Sequence, residues 1–432
     1  MEMRAFSERR QRLIEKMGRG IALVPTAPER VRNRDTHHPY RFDSYFYYLT
    51  GFREPDAALV LIAGDEPQSI LFCREKDPER EIWEGFRHGP EAARELFGFD
   101  AAFPIGGIEE KLAELAADRG TLFYSIGHDA AWDARAIAAL NAVREKQRSG
   151  VAAPSRIEDV RVLLDEMRLF KDAQELDAMR RAARISARAH RRAMLAAAPG
   201  RREYELEAEL LHEFRACGSA SPAYPAIVAS GANACVLHYV ANDGVLREGD
   251  LVLIDAACEI DGYAADITRC FPAGGRFGPA QRDIYALVLA AQAAAIGCVA
   301  PGRSWDEPHQ AALRVIVQGL IDMKLVEGTV DAAIASGAYK RFYMHRTGHW
   351  LGLDVHDAGA YKCGGDWRSL APGMTLTVEP GCYIRPGEGV PEALENIGVR
   401  IEDDVLVTEE GCEILSADAV KSIEDIETLM GR

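Results

Sequence analysis

The stretches Gly249-Asp-Leu-Val-Leu-Ile-Asp255 and Gly373-Met-Thr-Leu-Thr-Val-Glu379 share one design. Each runs from a glycine through an apolar segment to a carboxylate, which predicts a strand that carries an acid into a buried place. Asp266, His349 and Glu402 also lie within apolar segments. Because burying several carboxylates together is costly without a compensating positive charge, we predict a metal centre.

A short internal repeat surrounds these two stretches. Ala198-Pro-Gly-Arg201 joins two predicted helices, and Ala300-Pro-Gly-Arg303 joins two more. Strands that contain one of the glycine-to-acid stretches follow each helix pair. A chance match of four residues is the alternative, but the common order of elements favours a duplication. Two such halves packed face to face would bring both acid-bearing strands to one central site.

Asp255 and Asp266 are predicted to lie on one face of a β-hairpin that turns near residues 260–262. A two-residue turn at Ile260-Asp261 would set the two acids directly opposite each other, and a turn at Asp261-Gly262 would make them diagonal neighbours. Both placements leave them roughly 5 to 8 Å apart, which suits two carboxylates that share a pair of metal ions. A surface hairpin with solvated acids is the alternative.

Three of the chain's 11 histidines, His345, His349 and His356, are close together in one segment. Gly348 and Gly352 favour a turn or a strand there over a helix, so a helical zinc pair is not indicated. A lone histidine is usually structural, but three in one segment are hard to explain in that way.

Two further segments complete the predicted ligand set. The strand that contains Glu379 ends at Pro380-Gly381, which leaves the glutamate at the strand end. Arg400 and Glu402 share a strand face, where the guanidinium can orient a liganding carboxylate. An exposed ion pair on an edge strand is the alternative. Four carboxylates and one imidazole form an oxygen-rich set that favours Mn²⁺ over the thiolate-rich sites of structural zinc.

The length of 432 residues predicts two domains. Residues 1–168 alternate strand-like and helix-like runs, an α/β pattern, and a boundary is predicted near Leu169. Asp172 and Glu175 form a capping box that opens a long helix ending at Pro199-Gly200, and a second helix is predicted over Glu203–Ala216. We therefore expect domains at residues 1–168 and 169–432.

Composition excludes several classes of partner and location. The net charge of −16 argues against nucleic acid as a partner. The N-terminus has no apolar core typical of a secretory signal, and no apolar run is long enough to predict a membrane span. The nine cysteines are scattered, which favours free thiols in a reducing compartment. These features predict a cytoplasmic protein without a membrane partner.

The ordered ligand set and the residues around it resemble the aminopeptidase P and prolidase family. The matching motifs are Ile254-Asp-Ala256, Asp266-Ile-Thr-Arg269, Gly348-His-Trp-Leu-Gly-Leu-Asp-Val-His-Asp357, Thr377-Val-Glu-Pro-Gly381 and Arg400-Ile-Glu-Asp-Asp404. The tract Tyr40–Asp56 resembles the N-terminal domain of that family, and Met167–Lys171 resembles its domain junction. The likeness extends almost from end to end of the chain.

The resemblance implies a mixed α/β (α+β) fold, with a creatinase-like N-terminal domain followed by a pita-bread catalytic domain that has an internal pseudo-two-fold repeat. It also implies two Mn²⁺ ions, with Co²⁺ or Zn²⁺ as possible replacements. Asp255 would chelate one ion, His349 and Glu379 would hold the other, and Asp266 and Glu402 would bridge both.

The resemblance also assigns residues to the substrate. His238 and His356 match histidines that contact the substrate and the tetrahedral intermediate, and His345, Tyr383 and Arg400 match surrounding active-site positions. Trp83 is a candidate for a pocket that binds the proline ring, with core packing as its alternative. The chain departs from some bacterial relatives at Tyr45, where they carry an acid; Asp43 is the nearest acid, so it is open how the substrate amino group is held.

The implied activity is a metal-dependent aminopeptidase that releases the first residue from peptides with proline in the second position, by attack of a metal-bridging hydroxide. Glu379 would manage the proton. A homo-oligomer, dimer or tetramer, is expected. Prolidase, which cuts only Xaa-Pro dipeptides, is the alternative within the hydrolases, and the large N-terminal domain argues against methionine aminopeptidase. A metal-free binding module of the same fold would have lost ligands, and none is lost here.

Overall fold

The structure is a computed structural model that describes residues 2–431. The chain divides into two compact units, Met1–Arg168 and Leu169–Arg432, which are described separately. Within the described residues, no helix combines the length and the apolar character needed to cross a membrane.

The first unit is an α/β domain built around one mixed sheet. Its helices are α1 (Met3–Met17), α2 (Ser44–Thr50), α3 (Pro78–Glu84), α4 (Gly89–Phe97), α5 (Ile108–Ala116) and α6 (Ala130–Glu145), and α7 (Arg161–Leu169) ends at the unit boundary. Its strands are β1 (Gly20–Pro25), β2 (Val31–Asn33), β3 (Thr36–His37), β4 (Ala58–Ala63), β5 (Gln68–Cys73), β6 (Ala101–Pro104), β7 (Thr121–Phe123) and β8 (Arg156–Glu158).

The large sheet of this unit has the order β6-β5-β4-β1-β7-β8. Strands β1, β4 and β5 pair antiparallel, and the outer pairs β5–β6, β1–β7 and β7–β8 are parallel. Apolar side chains of the sheet, such as Val60 and Phe72, pack with Leu112 of α5 and Leu140 of α6 in one buried core. Alternating strand and helix patterns in the sequence predicted this α/β class correctly.

The second unit combines helix pairs with small antiparallel sheets. Its helices are α8 (Ala173–Ala196), α9 (Glu203–Ala216), α10 (Pro279–Ile296), α11 (Glu307–Asp322), α12 (Val330–Ser336) and α13 (Ile423–Met430). Its strands are β9 (Ile227–Ser230), β10 (Leu251–Asp255), β11 (Glu259–Ile260), β12 (Tyr263–Ala264), β13 (Thr268–Pro272), β14 (Lys362–Cys363), β15 (Asp366–Trp367), β16 (Thr375–Val378), β17 (Gly381–Ile384), β18 (Ile397–Arg400), β19 (Asp403–Val407) and β20 (Cys412–Ile414).

The two halves of this unit repeat the same backbone contacts. In the first half the Gly200 amide donates to the Leu246 carbonyl over 2.8 Å, and in the second half Gly302 donates to Leu370 over 2.8 Å. Three positions after each of these leucines the chain turns into β10 or β16 through a glycine with positive φ, +85° at Gly249 and +89° at Gly373. The shared contacts support a duplication rather than a chance match.

The first helix of each half carries a buried polar residue at the same position relative to its Ala-Pro-Gly-Arg joint. His190 of α8 donates from Nε2 to the Ala256 carbonyl over 2.8 Å. Gln292 of α10 donates from Nε2 to the carbonyls of Val378 and Ile401 over 3.2 and 3.1 Å. His190 therefore fixes the backbone beside Asp255, and Gln292 fixes the backbone beside Glu379 and Glu402.

Candidate metal centre and active site

The hairpin that carries Asp255 and Asp266 turns at Asp261-Gly262. Ile260 pairs with Tyr263, and both turn residues have positive φ, 53° and 82°. This geometry is that of a type I′ turn, for which Asp-Gly is a preferred sequence. Of the two turn placements that the sequence left open, the structure has the second.

This register makes Asp255 and Asp266 diagonal neighbours, because Asp255 pairs with Thr268 at the end of β10. The two side chains converge on one hydroxyl: Tyr224 Oη lies 2.7 Å from Asp255 Oδ1 and 2.5 Å from Asp266 Oδ1. The Asp266 amide donates to the buried carboxylate of Asp404 over 3.1 Å. The first half of the repeat therefore supplies a fixed pair of carboxylates.

The second half supplies Glu379 and Glu402 at adjacent strand ends. Val378 pairs with Asp403 in the β16–β19 ladder, so the two glutamates lie directly beyond the last pair. Glu402 also connects the halves, because Thr268 Oγ1 donates to its Oε2 over 2.6 Å and its amide donates to the Thr268 carbonyl over 3.1 Å.

His349 faces this group of acids with Nε2. That atom lies 3.3 Å from Asp266 Oδ2 and 3.7 Å from Glu379 Oε1. The other ring nitrogen, Nδ1, donates to the Trp350 carbonyl over 2.9 Å, which fixes the ring and leaves Nε2 toward the acids. One ligand atom each from Asp266, His349 and Glu402 lie within 4.8 Å of one another, a spacing that fits a bound cation.

The electrostatics of the site favour a cation as well. Burial, followed by repulsion from Asp266, Glu379 and Asp255, raises the pKa of Glu402 well above its usual value. Burial also raises the pKa of Glu379 to about 7. Burial alone would lower the pKa of His349, but its hydrogen bond to Asp266 and the charges of Glu379 and Asp266 raise it to about 9. The neighbouring carboxylates therefore repel one another and favour protonation, and a bound divalent ion would neutralise them in place of the protons. The donor set fits such an ion.

Arg400 lies buried behind the acids, not in an exposed ion pair at a sheet edge. Its Nη2 donates to Asp255 Oδ2 over 2.7 Å, and its Nη1 donates to the Tyr383 hydroxyl over 2.9 Å. The Tyr383 hydroxyl lies 2.9 Å from His345 Nε2, and His345 Nδ1 donates to the Arg346 carbonyl over 2.7 Å. Arg400 thus orients a carboxylate and, through Tyr383, a histidine of the cavity wall.

A cavity of about 260 Å³ opens over the acids. Three predicted histidines, His238, His345 and His356, line it together with the five predicted metal ligands and Arg400. The His356 ring lies 4.3 Å from the His349 ring in an edge-on arrangement. The second unit therefore brings all the predicted site residues to one cavity except Tyr383, which is buried behind its wall.

The candidates from the first unit have other surroundings. Tyr45 donates its hydroxyl to Asp165 over 2.6 Å, and Asp43 accepts from the Phe46 amide as the N-cap of α2. The Trp83 side chain is 88% exposed on α3, so the alternative that it packs in the core is wrong.

Sequence reasoning missed Tyr224 and Asp404 as partners of the metal-site acids. Tyr224 lies in the irregular segment between α9 and β9, and the segment Pro222-Ala-Tyr-Pro225 predicts only a loop. Asp404 stood in the Arg400-Ile-Glu-Asp-Asp404 motif, but its role depends on the Asp266 amide, far away in sequence.

Comparison with known proteins agrees with this architecture. Residues 177–409 match the model of metallopeptidase family M24, and residues 6–124 match that of the aminopeptidase P N-terminal domain. The Xaa-Pro aminopeptidase of Escherichia coli is 46% identical over 430 residues, which cover 98% of this chain and 97% of that protein.

Two solved structures superimpose over the whole chain. An aminopeptidase from Pseudomonas aeruginosa is 51% identical with a TM-score of 0.98, covering 100% of this chain and 98% of that one. Zinc-substituted E. coli aminopeptidase P in complex with product is 45% identical with a TM-score of 0.97, covering 100% and 98%. These matches confirm the resemblance, and the chain therefore belongs to metallopeptidase family M24, with the N-terminal domain of aminopeptidase P.

Proposed function

We propose that this chain is an Xaa-Pro aminopeptidase, a hydrolase that releases the first residue from peptides with proline in the second position. The observation that carries the proposal is the convergence of Asp266, His349 and Glu402, one ligand atom of each within 4.8 Å of the others, under a cavity that three further histidines line. Two relatives that align along almost the whole chain, from Escherichia coli and Haemophilus influenzae, carry this activity in their names.

The donor set would hold two divalent ions, for which we propose Mn²⁺, with Co²⁺ or Zn²⁺ able to replace it. Asp255 would chelate one ion, His349 and Glu379 would hold the other, and Asp266 and Glu402 would bridge the pair. When bound, such ions polarise a carbonyl and make hydroxide available near neutral pH.

The chain's own residues then orient the site and move the proton. Arg400 and Tyr224 hold Asp255 in place from opposite oxygens, with Nη2 on Oδ2 and the phenol on Oδ1. Glu379 would take a proton on its carboxylate and return it to the leaving proline nitrogen. His238 and His356, which line the cavity, would contact the substrate and the tetrahedral intermediate.

The proline specificity has a physical basis. An imide nitrogen has no N–H, so a peptidase that binds its substrate as an added strand loses one donor there. Side chains must instead recognise the ring; His238 and His345, which line the cavity, would do so, and Tyr383 would support His345 from behind the cavity wall. Assembly into a homo-oligomer and location in the cytoplasm stay predictions.

Substrate length tests the proposal against prolidase. With Mn²⁺ added to metal-stripped enzyme, we expect Xaa-Pro-Yaa to be cleaved faster than the matching Xaa-Pro dipeptide. Acetylated Xaa-Pro-Yaa and the control Xaa-Ala-Yaa should be poor substrates, because the free amino group and the ring are both recognised. If only the dipeptide were hydrolysed, the chain would be a prolidase; if no peptide were hydrolysed while both ions were bound, the proposal would be wrong.

A further inference from the structure

Glu203 is a buried carboxylate that no step of the proposed reaction uses. It is the first residue of α9, and its exposed fraction is 0%. Its Oε1 accepts from the Ser230 amide, the Ser230 hydroxyl and Asn233 Nδ2 over 2.7, 2.8 and 3.0 Å. Its Oε2 accepts from the Tyr239 hydroxyl and the Gly244 amide over 2.8 and 2.7 Å. None of these five donors is a cation, so the arrangement serves geometry rather than charge pairing.

Three of the five donors belong to one segment, and the other two belong to Ser230, which directly precedes it. Residues 231–244, here called the His238 loop, leave β9 after Ser230 and return to the start of α9 at Gly244. Leu237 and His238 at its tip line the cavity over the metal ligands, and the His238 side chain is exposed. Glu203 therefore contacts both stems of the loop and also Tyr239, the residue next to His238.

The fit around the carboxylate is close. A Cβ added at Gly244 would lie 2.8 Å from both Glu203 oxygens, which leaves room for glycine only. The returning stem has a second attachment, because Asn242 Nδ2 donates to the Ala226 carbonyl over 2.9 Å. Tyr239, in contrast, is held through its hydroxyl, which lies 2.8 Å from Glu203 Oε2 and 3.1 Å from Asp243 Oδ1. The loop tip therefore depends more on Glu203 than the stem does.

We propose that Glu203 is a positioning residue for His238. By accepting hydrogen bonds from both ends of the His238 loop and from Tyr239, it holds the loop in the position from which the imidazole contacts the substrate. This inference rests on the role that the proposed function gives to His238. A displacement of about 1 Å at a substrate-contacting group can cost about 10²-fold in rate, so a loosened loop should be visible in turnover. None of the predicted metal ligands belongs to β9 or to the His238 loop, so we expect them to be unaffected.

The test uses Tyr239→Phe and Gly244→Ala, which disturb two of the contacts of the carboxylate without removing it. Asp243→Ala is the matched control, since it removes the other contact of the Tyr239 hydroxyl. Each variant is made in the wild-type and the His238→Ala background. Bound metal, the thermal midpoint and kcat/KM for Xaa-Pro-Yaa are measured.

We expect Tyr239→Phe and Gly244→Ala to lower kcat/KM about 5- to 50-fold with both ions bound. In the His238→Ala background the same changes should cost less than about twofold, because the group that they displace is gone. Asp243→Ala should match the wild type. The inference would be overturned if the loss of kcat/KM in a test variant multiplied with the loss caused by His238→Ala. It would also be overturned if the test variants lost metal, or if both kept an unchanged kcat/KM. If His238→Ala alone had no effect, the proposed role of His238 would itself be wrong, a result distinct from multiplying losses, and the inference would be overturned with it.

Discussion

Burial of the His190 imidazole should make the stability of the chain depend on pH, and we expect His190→Gln to remove part of that pH dependence. In the folded chain Nε2 donates to the Ala256 carbonyl, and Nδ1 has no hydrogen-bond partner among the described residues. A protonated ring would need a second acceptor at Nδ1. Burial, and then the charge of Arg269, therefore lower the pKa of His190 from 6.5 to about 4. Glutamine is the residue that the second half of the repeat carries at the equivalent position, Gln292.

The sign and the size of this pH effect follow from the linkage between proton binding and folding. Above pH 6.5 the imidazole is neutral in both states and contributes no pH dependence. As the pH falls from 6.5 toward 4, this imidazole becomes protonated in the unfolded chain but stays neutral in the folded chain, so the free energy of unfolding decreases. Between pH 7.5 and pH 5.0 this loss amounts to about 2 kcal/mol. It should be absent in His190→Gln, because the amide does not titrate.

Urea unfolding of metal-stripped protein at the two pH values measures the effect. The decrease in unfolding free energy from pH 7.5 to pH 5.0 should be about 2 kcal/mol larger for the wild type than for His190→Gln. His212→Gln, at an exposed histidine of α9, is the matched control and should behave like the wild type. Equal pH dependence in the wild type and His190→Gln would refute the reasoning.

Three predictions concern the metal centre and the substrate contacts. Chelation should abolish activity and Mn²⁺ should restore it best, because the ligands are mainly hard oxygen donors; equal activity of the metal-free and the loaded enzyme would contradict a metal role. Asp266→Ala or Glu402→Ala should lose both ions together, whereas His349→Ala should weaken one, as metal counting on purified variants would show; full occupancy in Glu402→Ala would rule out bridging. His238→Ala and His356→Ala should keep both ions and lower kcat/KM by about 10²- to 10⁴-fold, and unchanged turnover in both would make these histidines structural.

Local signals in the sequence predicted the helices that frame the site. The capping box at Asp172 and the Pro199-Gly200 stop predicted α8, which spans Ala173–Ala196, and α9 was predicted with the bounds that the structure has. These signals act within a few residues, so no tertiary contact was needed to read them. The same holds for the two glycine-to-acid stretches, whose apolar runs form β10 and β16.

Contacts between distant segments could not be predicted in this way. Strand periodicity puts Asp255 and Asp266 on one face for either turn, so only the positive φ at Asp261 and Gly262 decides between the two registers. The position of Tyr224 against both acids depends on how an irregular segment crosses the sheet, and periodicity carries no information on that.

The duplicated halves of the second unit meet at the candidate metal centre, and neither half holds all five of the predicted ligands. The first half supplies Asp255 and Asp266, and the second supplies His349, Glu379 and Glu402. An ion bound by residues of both halves would cross-link them, and it would neutralise acids that otherwise repel one another where the halves meet. An ion present at 100 times its dissociation constant adds about 2.7 kcal/mol to the stability of the folded state. The concentration of free metal would therefore affect the stability of the folded chain as well as its catalytic rate.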